Sequence, residues 1–144
     1  GSVTGRELHD AKPMVLVVQP PVREWRRALL AYAGASAARR AMEVLGELAM
    51  SMGLEVDIAH LIEPDKDPNS LKEAEEYFSR LAVPYKVHYL RGDTHAVISQ
   101  HASKEGCDLL FMGASTKLIL GALGLGTATE TILRQSQLPA LIHR

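Results

Sequence analysis

The chain has 144 residues, 47% of them apolar and 23% charged, with a formal net charge of −1. That composition suits one globular domain with a sizeable core. It offers no electrostatic attraction to nucleic acid or to an anionic membrane surface, and no apolar run reaches the roughly 20 residues of a membrane span. The single cysteine, Cys107, excludes an internal disulfide and fits a reducing, cytoplasmic setting. The N-terminal residues do not have the pattern of a secretory signal.

Gly1-Ser2 reads as a tag remnant, and residues 1–11 are polar and aperiodic, as a loose N-terminus is. Residues 12–26 hold an apolar run, KPMVLVVQPP, and a short connector. Residues 27–33 (RALLAYA) form a short apolar strand. Ser36 is placed to cap a helix running to Met52, because Ala38, Ala41, Met42, Leu45, Leu48, Ala49 and Met52 recur at helical spacing. Gly53 is placed to end it. Residues 54–61 (LEVDIAHL) alternate and then turn apolar, which predicts a second strand, and EPDKDPN is a loop by its prolines and Asx residues. A charged-faced helix follows over 70–82, then a strand over 85–90, then a helix from Thr94 to Lys104 ended by Gly106. The last quarter gives a strand over 108–112 ending at Gly113, a Gly-rich loop, a helix over 128–135 and a closing strand over 138–143. Strands alternating with helices predict an α/β, Rossmann-like, mainly parallel sheet covered on both faces, with right-handed crossovers.

The most informative stretch is DLLFMGASTKLILGALGLGTATETILRQSQLPALIHR, from Asp108 to Arg144. A strand running into a glycine loop and then a helix N-terminus is a layout for holding an anion. Glycines allow backbone N–H groups to approach, and the helix end supplies unpaired donors and partial positive charge. The spacing is Gly113, two residues, Thr116, nine residues, then Gly126-Thr127. It resembles the G-x2-G-x9-G-[ST] signature of universal stress proteins, with Thr116 in place of the second glycine. RRALLAYAGASAARRAMEVLGELA resembles the family's first strand and helix. YLRGDTHAVISQHASKEGCDLLFMGAS resembles its third strand, third helix and fourth strand, and QLPALIHR its closing strand. The resemblance covers residues 27–144, taken as one universal stress domain.

The resemblance implies a five-stranded sheet in the order 3-2-1-4-5. The order then reverses between the first and fourth strands, where open α/β sheets bind ligands. It implies an adenine-nucleotide site for ATP or AMP, with Mg²⁺ accompanying ATP. Residue by residue, Ala33 and Gly34 stand at the end of the first strand, and Leu61 at the backbone position that meets adenine. Gly113, Gly126, Thr127 and Thr129 match phosphate and ribose positions, and Thr116 and Lys117 belong to the same loop. Two departures point to partial degeneration: Ala33 replaces an aspartate that contacts the nucleoside, and Thr116 replaces a glycine. A hydrogen bond lost from a charged group costs about 1.5–3 kcal/mol, and a left-handed backbone at Thr116 roughly 1–2 kcal/mol more. Together these weaken binding by about a hundred-fold or more. The resemblance thus implies a non-catalytic stress-response module, the alternative being a competent ATP or AMP switch with slow hydrolysis. An enzyme of the wider adenine-nucleotide hydrolase-like group is disfavoured, because no acid–base or nucleophile–base pair is visible.

Read as residues alone, the Gly-rich loop is equally a flexible connection, Thr127 and Thr129 an ordinary helix cap, and Lys117 a solvated charge. His60, His88, His95 and His101 are scattered, and no pair has metal-ligand spacing with a third partner, so no metal site from protein side chains is expected. Cys107 reads as a small packing residue. Tyr77, Phe78 and Leu81 read as the core face of their helix, and Arg39-Arg40 with Glu43 and Glu47 as a solvated face.

The run at residues 12–21 resembles the closing strand of another universal stress domain, which implies a chain cut from a tandem protein; an extra strand peculiar to this protein is the alternative. Such domains associate by pairing closing strands antiparallel. Met14, Val15, Leu16, Val17 and Val18 are therefore expected to pair antiparallel with Ala140, Leu141, Ile142 and His143, within one chain or by exchange between two. The partners implied are self or a second universal stress domain.

Overall fold

The computed structural model describes residues 14–17, 24–32, 36–61, 70–91, 94–113, 127–136 and 138–143. In chain order the elements are β1 (Met14–Val17), β2 (Arg27–Tyr32), α1 (Ser36–Met52), β3 (Glu55–Leu61), α2 (Ser70–Arg80), β4 (Tyr85–Leu90), α3 (Thr94–Lys104), β5 (Leu109–Gly113), α4 (Thr127–Ser136) and β6 (Ala140–His143). They build one six-stranded sheet in the order β1-β6-β5-β2-β3-β4. All pairs within β4-β3-β2-β5-β6 are parallel, which is the expected 3-2-1-4-5 arrangement.

The extra strand β1 pairs antiparallel with β6, in the register Met14↔His143, Val15↔Ile142, Leu16↔Leu141 and Val17↔Ala140. This is the expected strand pairing. Val18 lies outside the described residues. The connector is not wholly solvent-borne, since Trp25 packs against the core beneath α1 and α2.

Both faces of the sheet are buried, so the core has two halves. Ala28, Leu30 and Tyr32 of β2, Val56 and Ile58 of β3 and Phe111 of β5 face α1 and α2. Leu29, Ala59, Leu110 and Met112 face α3 and α4, packing on Ile98, Ala102, Ile132 and Leu133. Phe78 is fully buried with Tyr77 and Leu81 beside it, as the helical spacing indicated.

Helix ends follow their local chemistry. Gly53 sits at φ +70°, and its N–H donates to the Ala49 carbonyl at 2.8 Å, closing α1 with the left-handed residue that glycine adopts at low cost. The second helix stops at Arg80 rather than at residue 82, because Ala82 takes φ 56° and its N–H turns back to Ser79. Asp108 precedes β5 rather than opening it. Its Oδ2 accepts the backbone N–H of Arg26 at 2.9 Å and of Arg27 at 3.1 Å, fixing where β2 begins.

Candidate functional site

The strand order reverses between β2 and β5, which are neighbours although one opens the parallel set and the other comes fourth in it. Their C-terminal ends are Tyr32 and Gly113, with β3 ending alongside at Leu61. Helix α4 starts at Thr127, and its first backbone N–H groups have no partner within the helix. Leu61, Gly113, Thr127 and Thr129 thus belong to elements that a right-handed parallel sheet brings to one end. Ala33, Gly34, Thr116, Lys117 and Gly126 lie outside the described residues.

The side chains described near that end are polar as well as apolar. Tyr32 is fully buried at the end of β2. Burial pushes its phenol above the ordinary value, with Glu73 adding to the rise and Arg39 opposing it. Arg39 in the first turn of α1 and Glu73 in the first turn of α2 form an ion pair at 2.6 Å. Arg39 and Arg40 do lie on a solvated face, as expected; Arg39 in addition ties α1 to α2 through Glu73, while Arg40 pairs with Glu43 at 2.8 Å along α1. His60, next to Leu61, is buried with Nδ1 lacking a partner, and its ring meets Tyr89 edge-on at 5.9 Å.

A second polar group lies on the opposite half of the sheet, between β3, β4 and α3. Asp57 is 1% exposed. Its Oδ1 lies 3.8 Å from His88 Nε2. Its Oδ2 lies 3.8 Å from Arg27 Nη1 and accepts from the Cys107 thiol at 3.7 Å. The His88 and His101 rings are 4.3 Å apart between centroids. Arg27 is anchored on Glu55 at 2.6 Å, and this hydrogen bond raises its pKa most, with Asp57 adding to the rise. Burial lowers the His101 pKa first, and the neighbouring His88 lowers it further. Burial also pushes the Cys107 thiol up to about 12, reinforced by Asp57, so this cysteine is an un-ionised packing group and hydrogen-bond donor.

Sequence spacing gave no reason to join these residues. Asp57 alternates with Val56 and Ile58 as a solvent-facing strand residue would. Because helices cover both faces, the alternation delivers it to the second half of the core instead. A lone carboxylate in a strand covered on both sides was the available signal.

A doubly wound α/β domain with this strand order belongs to the class of Rossmann-like folds. The family model described as Universal stress protein family matches residues 24–144. The chain belongs to that family. The universal stress protein Slr1230 of Synechocystis is 24% identical over 121 residues, covering 82% of this chain and 42% of its own length. A crystal structure of a universal stress protein from Archaeoglobus fulgidus superposes with TM-score 0.79 at 26% identity, covering 95% of this chain and 51% of that one. A universal stress protein in complex with cAMP gives TM-score 0.70 at 19% identity, covering 85% and 98%. The chain thus spans about half or less of the length of the first two relatives. No helix among the described residues is long and apolar enough to cross a membrane.

Proposed function

We propose that this chain is a non-catalytic regulatory module of the stress response, with a partly degenerate adenine-nucleotide crevice and an association surface at the closing strand. The observation that carries the reading is the reversal of strand order between β2 and β5. Helix-start N–H groups suit a phosphate there. In sequence, Gly113, Gly126, Thr127 and Thr129 retain the family's pattern of phosphate and ribose positions, with Leu61 at the adenine position, and the Lys117 charge would offset part of the loss. Ala33 and Thr116 are the positions at which affinity has been lost. The edge of β6, filled here by β1, is where the closing strand of a second copy or of a second universal stress domain would pair, the relation that a tandem parent protein would have.

The second reading is a competent switch that binds ATP or AMP, with Mg²⁺ for ATP, and hydrolyses slowly. The observation in its favour is that a relative of the same fold is described in complex with cAMP. Mass spectrometry of small molecules released from the purified, denatured protein separates the two readings. Co-purified nucleotide refutes degeneration. Titration calorimetry with ATP and AMP then follows three proteins. Ala33→Asp combined with Thr116→Gly strengthens ATP binding at least about ten-fold, by restoring a charged hydrogen bond and a close backbone approach. Gly126→Val removes the remaining anion affinity. A double variant no tighter than the parent chain rejects the assignment of these positions.

A further inference from the structure

We propose that Asp57, His88 and His101 form a binding site for a divalent transition ion, zinc being the best match. The site lies in the half of the sheet where the strands begin, and it is separate from the nucleotide crevice. Each of the three residues offers one ligand atom, and these atoms lie within 4.8 Å of one another. Asp57 stands four residues before the end of β3, so about 13 Å of strand divides it from the crevice.

Four observations support the assignment. First, the donors are unsatisfied. His101 is 7% exposed, and Nε2 of both His88 and His101 is buried with no hydrogen-bond partner. A buried ring nitrogen left unpaired is costly, and a metal bond relieves it. Second, the donor chemistry fits. Two imidazoles and one carboxylate form the three-ligand set of an open zinc site, with the fourth position left for water. Third, the three ligand atoms, all within 4.8 Å of one another, are within side-chain adjustment of a coordination shell. Ligand atoms around a tetrahedral zinc stand about 3.3 Å apart, given bonds of about 2.0 Å. The Asp57 Oδ1 to His88 Nε2 separation is 3.8 Å, so a shift of roughly half an ångström closes it. Fourth, the carboxylate is already oriented. Its Oδ2 is engaged by the Cys107 thiol and Arg27, which leaves Oδ1 turned toward His88. Outer partners of this kind hold a ligand in place.

The charges nearby favour a cation. Arg27 and Lys104 face Glu55, Asp57 and Glu105, and the Arg27 charge is matched by its bond to Glu55. The His88 side chain is 24% exposed, which gives an ion a route from solvent. Once bound, the ion would link β3, β4 and α3.

The test uses the full chain, stripped with a chelator and titrated with zinc against a chromophoric competitor. Cobalt(II) absorption and X-ray absorption of the zinc form report geometry. One equivalent binds, cobalt gives the intense visible bands of a four-coordinate ion, and the zinc spectrum contains two imidazoles. His88→Gln and His101→Gln each weaken binding at least about 100-fold, since loss of an outer partner alone costs 10–100-fold. His95→Gln leaves it unchanged. Absence of stoichiometric binding overturns the proposal, as does binding that survives both glutamine variants. If a variant fails to fold, the X-ray absorption of the unaltered chain decides, and fewer than two imidazoles around zinc overturns the assignment.

Discussion

Gly46 lies in the middle of α1, where a glycine is ordinarily a weakness, and replacing it with alanine exposes what it does. In isolation Gly→Ala in a helix gains about 0.8–1.0 kcal/mol. Here a Cβ would stand 2.5 Å from Tyr77 Cε1, 2.6 Å from the Tyr77 hydroxyl oxygen and 2.8 Å from Leu81 Cδ1. Those distances cannot be held, so the Tyr77 ring must move. Overpacking of this kind costs roughly 1–3 kcal/mol. Moving the ring also breaks its hydroxyl's bond to the Glu43 carbonyl, 3.1 Å long, worth about 0.5–1.5 kcal/mol. The net expectation for Gly46→Ala is a loss of about 2 kcal/mol, read as a fall in Tm of about 6 °C for a domain of this size. Thermal and urea unfolding measure it. In a Tyr77→Ala background the steric conflict is largely gone, and the same substitution then becomes neutral or stabilising. A Gly46→Ala protein as stable as the parent, or a coupling with Tyr77 below about 0.5 kcal/mol, refutes the reasoning.

Three further perturbations test other parts of the molecule. Asp108→Ala removes the acceptor that holds the N–H groups of Arg26 and Arg27. In this partly exposed setting it lowers stability by about 1.5 kcal/mol in urea unfolding, and Asp108→Asn loses less; equal losses for the two would discount the hydrogen bonds. Deleting residues 1–20 uncovers the edge of β6 and raises self-association in analytical ultracentrifugation; an unchanged solution mass and solubility would show that β1 does not guard that edge. Cys107, with its thiol pushed up to about 12, resists alkylation at pH 8–9 in the folded chain and reacts promptly in denaturant. Because the folded pKa is raised, its contribution to stability is present below the unfolded value near 9 and is lost as pH climbs toward 12. Fast labelling of the native protein at pH 8 contradicts its burial.

Local patterning determined most of the architecture. The apolar spacing from Ala38 to Met52 gave α1 its exact bounds, and Gly53 and Gly106 marked helix ends because glycine alone takes their positive φ cheaply. Strand and helix in alternation determined a parallel sheet, and the resemblance of two proline-led apolar runs to the family's closing strand anticipated β1 against β6. The Gly113 to Thr127 spacing marked the family, because glycine positions are set by the backbone and so survive as a pattern in the sequence. Side chains brought together from separate elements leave no such trace. Arg39 meets Glu73, and Asp57 meets His88 and His101, only because the parallel register sets Ala59 beside His88 and because α3 packs over that face. A charged residue in an alternating strand looks solvent-facing until the helices that cover the face are known. Burial, not sequence order, decides which polar atoms are left without water and must find one another.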